Sequence, residues 1–188
     1  MTERATLRVG MHRRIARLGL AAATGCAAAA GFAETALDVP FVRQIRRGCG
    51  PAAVAMVMQY WAGQLGLDGA AADAEKIDRA LPASSKGVSG AALKEYLEDH
   101  GFAAYVFSGE LSDLRHHIAK GRPVVVCLGL KGPGGPLHFV VVTGVGDGAV
   151  TLNDSTRGKM YREGMESFLR AWKAARNWAM LAVPRPGP

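Results

Sequence analysis

The stretch QIRRGCGPAAVAMVMQYW (44–61) decides the architecture. From Ala52 to Met58 every residue is apolar, so a helix here has no polar face and belongs in the middle of a protein. Pro51 stands just inside its start, where the amide it lacks would have no intrahelical partner. Cys49 therefore sits at the N-terminus of a buried helix. Unpaired amides and the positive end of the helix dipole stabilise a thiolate at that place. A structural cysteine gains nothing from this, whereas a nucleophile gains its reactive form. Gly48 and Gly50 are expected to leave the sulfur open to a substrate backbone, and Arg46 and Arg47 add positive charge nearby.

Working outward, the first half of the body reads as helical. SGAALKEYLEDHG (89–101) carries Ser89 as an N-cap, apolar Ala92, Leu93, Tyr96 and Leu97 at helical spacing, and Gly101 as a stop. The second half turns toward sheet. FAAYVFSG (102–109) is a short strand, and SDLRHHIAKG (112–121) is a capped amphipathic helix closed by Gly121. RPVVVCLGL (122–130) and HFVVVTGV (138–145) are β-branched runs of the kind found in buried strands. The turn GDG (146–148) joins the latter to AVTLND (149–154) as a hairpin. A last helix, MESFLRAWKAA (165–175), leads to a final strand, WAMLAVP (178–184), and a loose tail over 185–188. The class is α+β: helices first, with a central buried helix, then a mainly antiparallel sheet.

Residues 1–33 form a separate segment. A basic start (Arg13, Arg14, Arg17), an alanine-rich apolar stretch from Leu18 to Ala30 and small residues around Ala33 match the order of a secretory signal peptide. Cleavage after Ala33 would leave a body over 34–184. A second route has Cys26 of ATGC lipidated, and the Arg13–Arg14 pair hints at twin-arginine export. The expected address is periplasmic or extracellular. This segment holds five arginines and one glutamate, a net +4 of the chain's formal +7, so about +3 belongs to the rest. That balance gives no basic face for nucleic acid. In an oxidising compartment Cys49 and Cys127 would ordinarily be suspected of pairing, which is the plain alternative to a reactive Cys49.

A nucleophilic cysteine needs a base, and the base an orienter. His12 lies in the leader, His100 ends a helix, and His116 and His117 sit on an amphipathic helix surface. His138 differs, because it opens a buried strand where an unpaired imidazole is expensive. If GDG is the hairpin turn, the partner strand brings Asn153 and Asp154 to the same open end. Adjacent strand residues face opposite sides, so only one of the two can meet His138. Asp154 is the choice and Asn153 the rival. Gln44, five residues before Cys49, is a side-chain amide that with the Cys49 N–H would form an oxyanion hole. His138 and Cys49 belong to no clustered ligand pattern, and the His116–His117 pair is a poor metal site by itself. No cofactor or metal is expected.

Taken together, Q-x-x-x-x-C-G-P-A-A heading a buried helix, then HFVVVTGV and LNDS, resembles the papain-like cysteine peptidases that remove double-glycine leaders from bacteriocins. The similarity runs from about Val39 to Pro184 and is closest to stand-alone, secreted relatives. It implies a papain-like fold, Cys49 as nucleophile, His138 as general base and acid, Asp154 as orienter and Gln44 as oxyanion donor. It also implies a peptide or protein substrate, including cargo of an export or surface-fibre system. Exporter-fused members commonly carry an acidic residue before the cysteine, where this chain has Gly48, so double-glycine specificity is not carried over. Two other readings share the residues: a papain-like acyl transferase or amidase, and a non-catalytic peptide-binding module with Cys49 idle or bonded to Cys127.

Overall fold

The computed structural model describes residues 36–46, 48–67, 72–81 and 87–186. The leader read over 1–33, with Cys26, and the last two tail residues lie outside them.

The buried helix α1 spans Cys49–Leu65 and ends at Gly66 in the left-handed conformation (φ 65°). Its residues Gly50 through Met58 are all buried. Each Val or Met fully withdrawn from water there contributes roughly 1.5–3 kcal/mol, so α1 is held by packing on all sides. Its far end is anchored by directed bonds: Tyr60 Oη donates to Gly121 O (2.8 Å) and Trp61 Nε1 to Ala182 O (3.0 Å). Two further helices follow, α2 (Ala74–Ala80) and α3 (Gly90–Asp99). Ser89 caps α3 by accepting from Ala92 N–H at 3.2 Å, and Gly101 (φ 85°) terminates it, as the sequence pattern requires.

The remainder is a six-stranded, wholly antiparallel sheet interrupted by two helices. In chain order these are β1 (Phe102–Ser108), α4 (Leu111–Ala119), β2 (Val124–Gly129), β3 (Leu137–Val145), β4 (Ala149–Asp154), β5 (Gly158–Gly164), α5 (Met165–Ala174) and β6 (Trp178–Pro184). The strands lie in the order β1-β6-β2-β3-β4-β5. The last strand thus fills the gap between the first two, locking the chain's end into the sheet. α1 and α3 cover one face through Val125, Phe139, Val141 and Met180. α4 and α5 cover the other through Val126, Val140, Val142 and Leu152. Burial on both faces explains why β2 and β3 read as unbroken apolar runs instead of alternating ones. β5 was not among the expected strands, because GKMYREG is a half-exposed edge strand, rich in charge and poor in β-branched residues. Its pairing with β4, not its own propensity, makes it a strand.

Gly48 and Gly50 serve packing, which corrects the expectation that they clear space for a substrate. A side chain at Gly50 would meet Leu93 at 3.1 Å, and one at Gly48 would meet the Ile45 carbonyl at 2.9 Å. They let the start of α1 press against its surroundings.

Asn153 ties the entering chain to the sheet. It is fully buried, donates to Val39 O (2.9 Å) and Pro40 O (3.3 Å), and accepts from Met160 N–H (3.0 Å). Replacing Asn153 with Ala removes the partner of the buried Val39 carbonyl and of the half-buried Pro40 and Met160 groups. The expected loss is about 2–3 kcal/mol of folding stability. Urea denaturation followed by circular dichroism measures it, and a loss too small to resolve would remove Asn153 from this anchoring role.

Candidate active site

Cys49 opens α1 beside the start of β3, half-buried, where the His138 imidazole and the backbone N–H groups of Phe139 and Gly50 all act to lower the pKa of its thiol. His138 is the second residue of β3 and is 7% exposed. Its Nε2–H donates to Asp154 Oδ1 at 2.9 Å, so Nδ1 is the ring nitrogen left for the sulfur. Asp154 is 3% exposed, and Oδ1 also accepts from Thr156 N–H (2.9 Å), Thr156 Oγ1–H (2.7 Å) and Arg157 N–H (3.3 Å). The imidazole is thus hydrogen-bonded to the carboxylate and acts on the thiol.

A β-bulge selects Asp154 over Asn153. Near the turn Val145 pairs with Val150 and Gly144 with Thr151. Beyond Thr143 the register slips by one, so that Val142 pairs with Leu152 and Val141 with Asn153. The next step sets Asp154 beside Val140, on the same face of β3 as His138. Without the extra residue Asp154 would have turned to the α1 face and Asn153 toward His138, because a one-residue slip exchanges the faces.

Gln44 is held by Ser155, the residue after Asp154. Its backbone N–H donates to Ser155 O (3.3 Å), its Oε1 accepts from Ser155 Oγ (2.9 Å), and one Nε2–H goes to Arg46 O (2.8 Å). The second Nε2–H has no partner among the described residues. The Cys49 N–H is likewise unpaired among them, being in the first turn of α1. His100 caps α3 and stacks on Tyr96 at 4.0 Å, while His116 and His117 lie on α4 away from Cys49. Among the described residues no three His, Cys, Asp or Glu side chains gather into a group that could hold a metal ion.

A family comparison matches residues 36–180, most of the chain, to the Peptidase_C39 like family. The chain belongs to that family. Solved structures agree on the fold. A C39-like peptidase from Bacillus anthracis is 20% identical, with a TM-score of 0.61 over 82% of this chain and all of its own. The peptidase domain of Streptococcus ComA, a bi-functional ABC transporter, is 22% identical, with a TM-score of 0.61 over 77% of this chain and 97% of that one. A double glycine motif protease from an AMS/PCAT transporter, solved with its leader peptide, is 20% identical, with a TM-score of 0.61 over 80% of this chain and 94% of that one. The fold is thus the C39, papain-like one: helices packed on a six-stranded antiparallel sheet. No curated protein matches the chain.

Within this C39-like chain the charges reinforce one another. Burial alone would push the Cys49 thiol up, but the hydrogen bond and charge of His138, with the Phe139 and Gly50 N–H groups, bring it below its ordinary value. Burial would lower the imidazole of His138, yet Asp154 and Cys49 raise it to about 9. Burial would raise the Asp154 carboxyl, but His138 and Thr156 hold it well below the usual carboxylate range. Both shifts favour the thiolate–imidazolium form of the pair over the neutral one. Thr156, Ser155 and Arg157 were not singled out from the sequence. An aspartate two residues before a threonine is an Asx-turn signal, which could have found Thr156.

Cys49 and Cys127 are both free. Cys127 is buried beside Phe139, and burial together with the charge of Cys49 pushes its thiol up to about 11. Iodoacetamide at neutral pH should therefore modify Cys49 quickly without prior reduction and leave Cys127 untouched, as read by peptide mass spectrometry. His138→Ala should slow Cys49 modification roughly tenfold or more by removing the imidazolium that holds the thiolate. Equal labelling of the two cysteines, or an unchanged rate in the variant, would contradict the arrangement.

Proposed function

We propose that the protein is a cysteine peptidase in which Cys49 is the nucleophile, His138 the general base and acid, and Asp154 the orienter. The single observation that supports this most is the buried His138–Asp154 pair, 2.9 Å apart, whose imidazole acts on the Cys49 thiol. The Cys49 sulfur, as thiolate, bonds to the carbonyl carbon of a peptide. The Cys49 N–H and the second N–H of Gln44 Nε2 receive the oxyanion. As the carbon–nitrogen bond breaks, the proton on His138 passes to the leaving amine. His138, now neutral, takes a proton from water, whose oxygen attacks the thioester, and the acid product leaves with the thiolate restored. Asp154 keeps the imidazole in the tautomer that presents Nδ1 to sulfur and supports its positive form, without itself taking the proton.

The setting belongs to the same proposal. A leader over 1–33 would send the body out of the cytoplasm, where the peptidase would process an exported peptide or protein. Gly48 in place of an acidic residue before the nucleophile leaves double-glycine leaders as one substrate class among others.

Two experiments test it. Secreted and envelope peptides compared between cells making the wild-type chain and cells making Cys49→Ala should show at least one terminus that depends on Cys49. Identical peptide sets would count against the peptidase reading, and a Cys49-dependent new amide in place of a new carboxyl terminus would point to acyl transfer. With a substrate in hand, kcat/KM should rise with pH as the thiol ionises, at a pH below that of an ordinary thiol, about 8.5. It should fall again as His138 loses its proton through about 9. A rate that simply climbs through the alkaline range would exclude the ion pair as the working form.

A further inference from the structure

A cavity of about 660 Å³ opens on the α5 face of the sheet, within the span of roughly 300–1,000 Å³ usual for ligand pockets. His138 and Asp154 form part of its wall, whereas Cys49 and Gln44 do not. This asymmetry matters chemically. In the proposed reaction the acyl half of the substrate becomes bonded to sulfur, and the amine half leaves with the proton of His138. A cavity on the imidazole side and not on the thiol side is therefore placed for the leaving half.

Its lining has a definite chemistry. Leu130 and Ala171 supply apolar surface over the buried Leu128, Leu152 and Phe168, and Lys131, Arg157 and Arg170 supply positive charge. The only lining carboxylates among the described residues are Asp154 and Glu163. Asp154 is nearly fully buried and committed to His138 and Thr156, and Glu163 is bound to Arg157 Nη1 at 2.7 Å. Arg170 reaches Glu166, which lies outside the wall, through an exposed pair at 2.9 Å. Lys131, in the β2–β3 loop, has no ion-pair or hydrogen-bond partner among the described residues. Cations outnumber free carboxylates above an apolar floor.

We infer that this cavity receives a carboxylate carried by the leaving half of the peptide, with Lys131 and Arg170 as the cations that select it. The inference rests on the peptidase reading and adds to it a substrate preference. The carboxylate has two sources: an Asp or Glu side chain shortly after the scissile bond, or the free C-terminus of a peptide cut near its end.

The test uses purified protein on a proteome-derived peptide mixture, half of it amidated at the C-terminus, with Cys49→Ala as the blank and cut sites read by mass spectrometry. Asp and Glu should be enriched over Asn and Gln in the first few positions after the cut if the side chain is read. Cuts near the end that vanish on amidation are expected if the terminus is read. Reversing both cations, Lys131→Glu with Arg170→Glu, should weaken the acidic preference by roughly five- to tenfold, the size expected for two solvated charges. The single Lys131→Glu change should give a smaller shift in the same direction, and added salt should blunt the wild-type preference. Cys49-dependent cuts with no carboxylate preference, or a preference indifferent to both reversals, would overturn this assignment and leave the peptidase reading standing. Absence of any Cys49-dependent cut would overturn both.

Discussion

The site depends on a buried carboxylate that stays ionised. Asp154 is almost wholly withdrawn from water, a position that would normally drive a carboxyl group to its neutral form. It remains charged because one oxygen, Oδ1, collects bonds from His138, the Thr156 amide and hydroxyl, and the Arg157 amide. That negative charge favours the protonated form of His138, and the imidazolium in turn favours the anionic form of the Cys49 sulfur. Each group would lose its charge by burial alone. Together they keep it, and the truncation of any one leaves the others in an unfavourable state.

The fold's task is to deliver these three groups from distant parts of the chain to one end of β3 and β4. α1 arrives at the sheet with no polar face, so its axis is set by packing against β3, α2 and α3. The close approach permitted by Gly50 fixes how near its first turn comes to Phe139 and Leu93. The bulge at Thr143 sets which face of β4 looks toward His138. Asn153, displaced by that bulge to the other face, is not wasted: it fastens the segment before α1 to the sheet. Neighbouring residues of one strand thus hold the two halves of the site, one through a charge and the other through backbone anchoring.

Much of this was legible in residue order. The unbroken apolar run 52–58 can only be a central helix, and a cysteine before it can only lie at that helix's positive end. The β-branched runs before and after GDG announced a hairpin whose open end would carry His138 with Asn153 and Asp154. What could not be read was which of the two faces His138, since the answer rests on a single extra residue in β3 that leaves no compositional trace. β5 was hidden for a related reason, because an edge strand borrows its conformation from its neighbour. The role of Gly50 was misread because its contact, Leu93, becomes a neighbour only after α1 has docked, and that of Gly48 because the turn that brings the Ile45 carbonyl onto it leaves no signal in composition. The cavity behind His138 is likewise assembled from β2, β4, β5 and α5, and no local pattern announces it.

The chain of charges makes one demand that is independent of any substrate: His138 must carry its proton far beyond the ordinary imidazole range. A titration of the His138 ring signals by nuclear magnetic resonance, assigned by comparison with His138→Ala, measures this directly. The account predicts that the ring stays protonated through neutral pH and releases its proton only at about 9. A ring already neutral at pH 7, titrating at or below the ordinary 6.5, would contradict it.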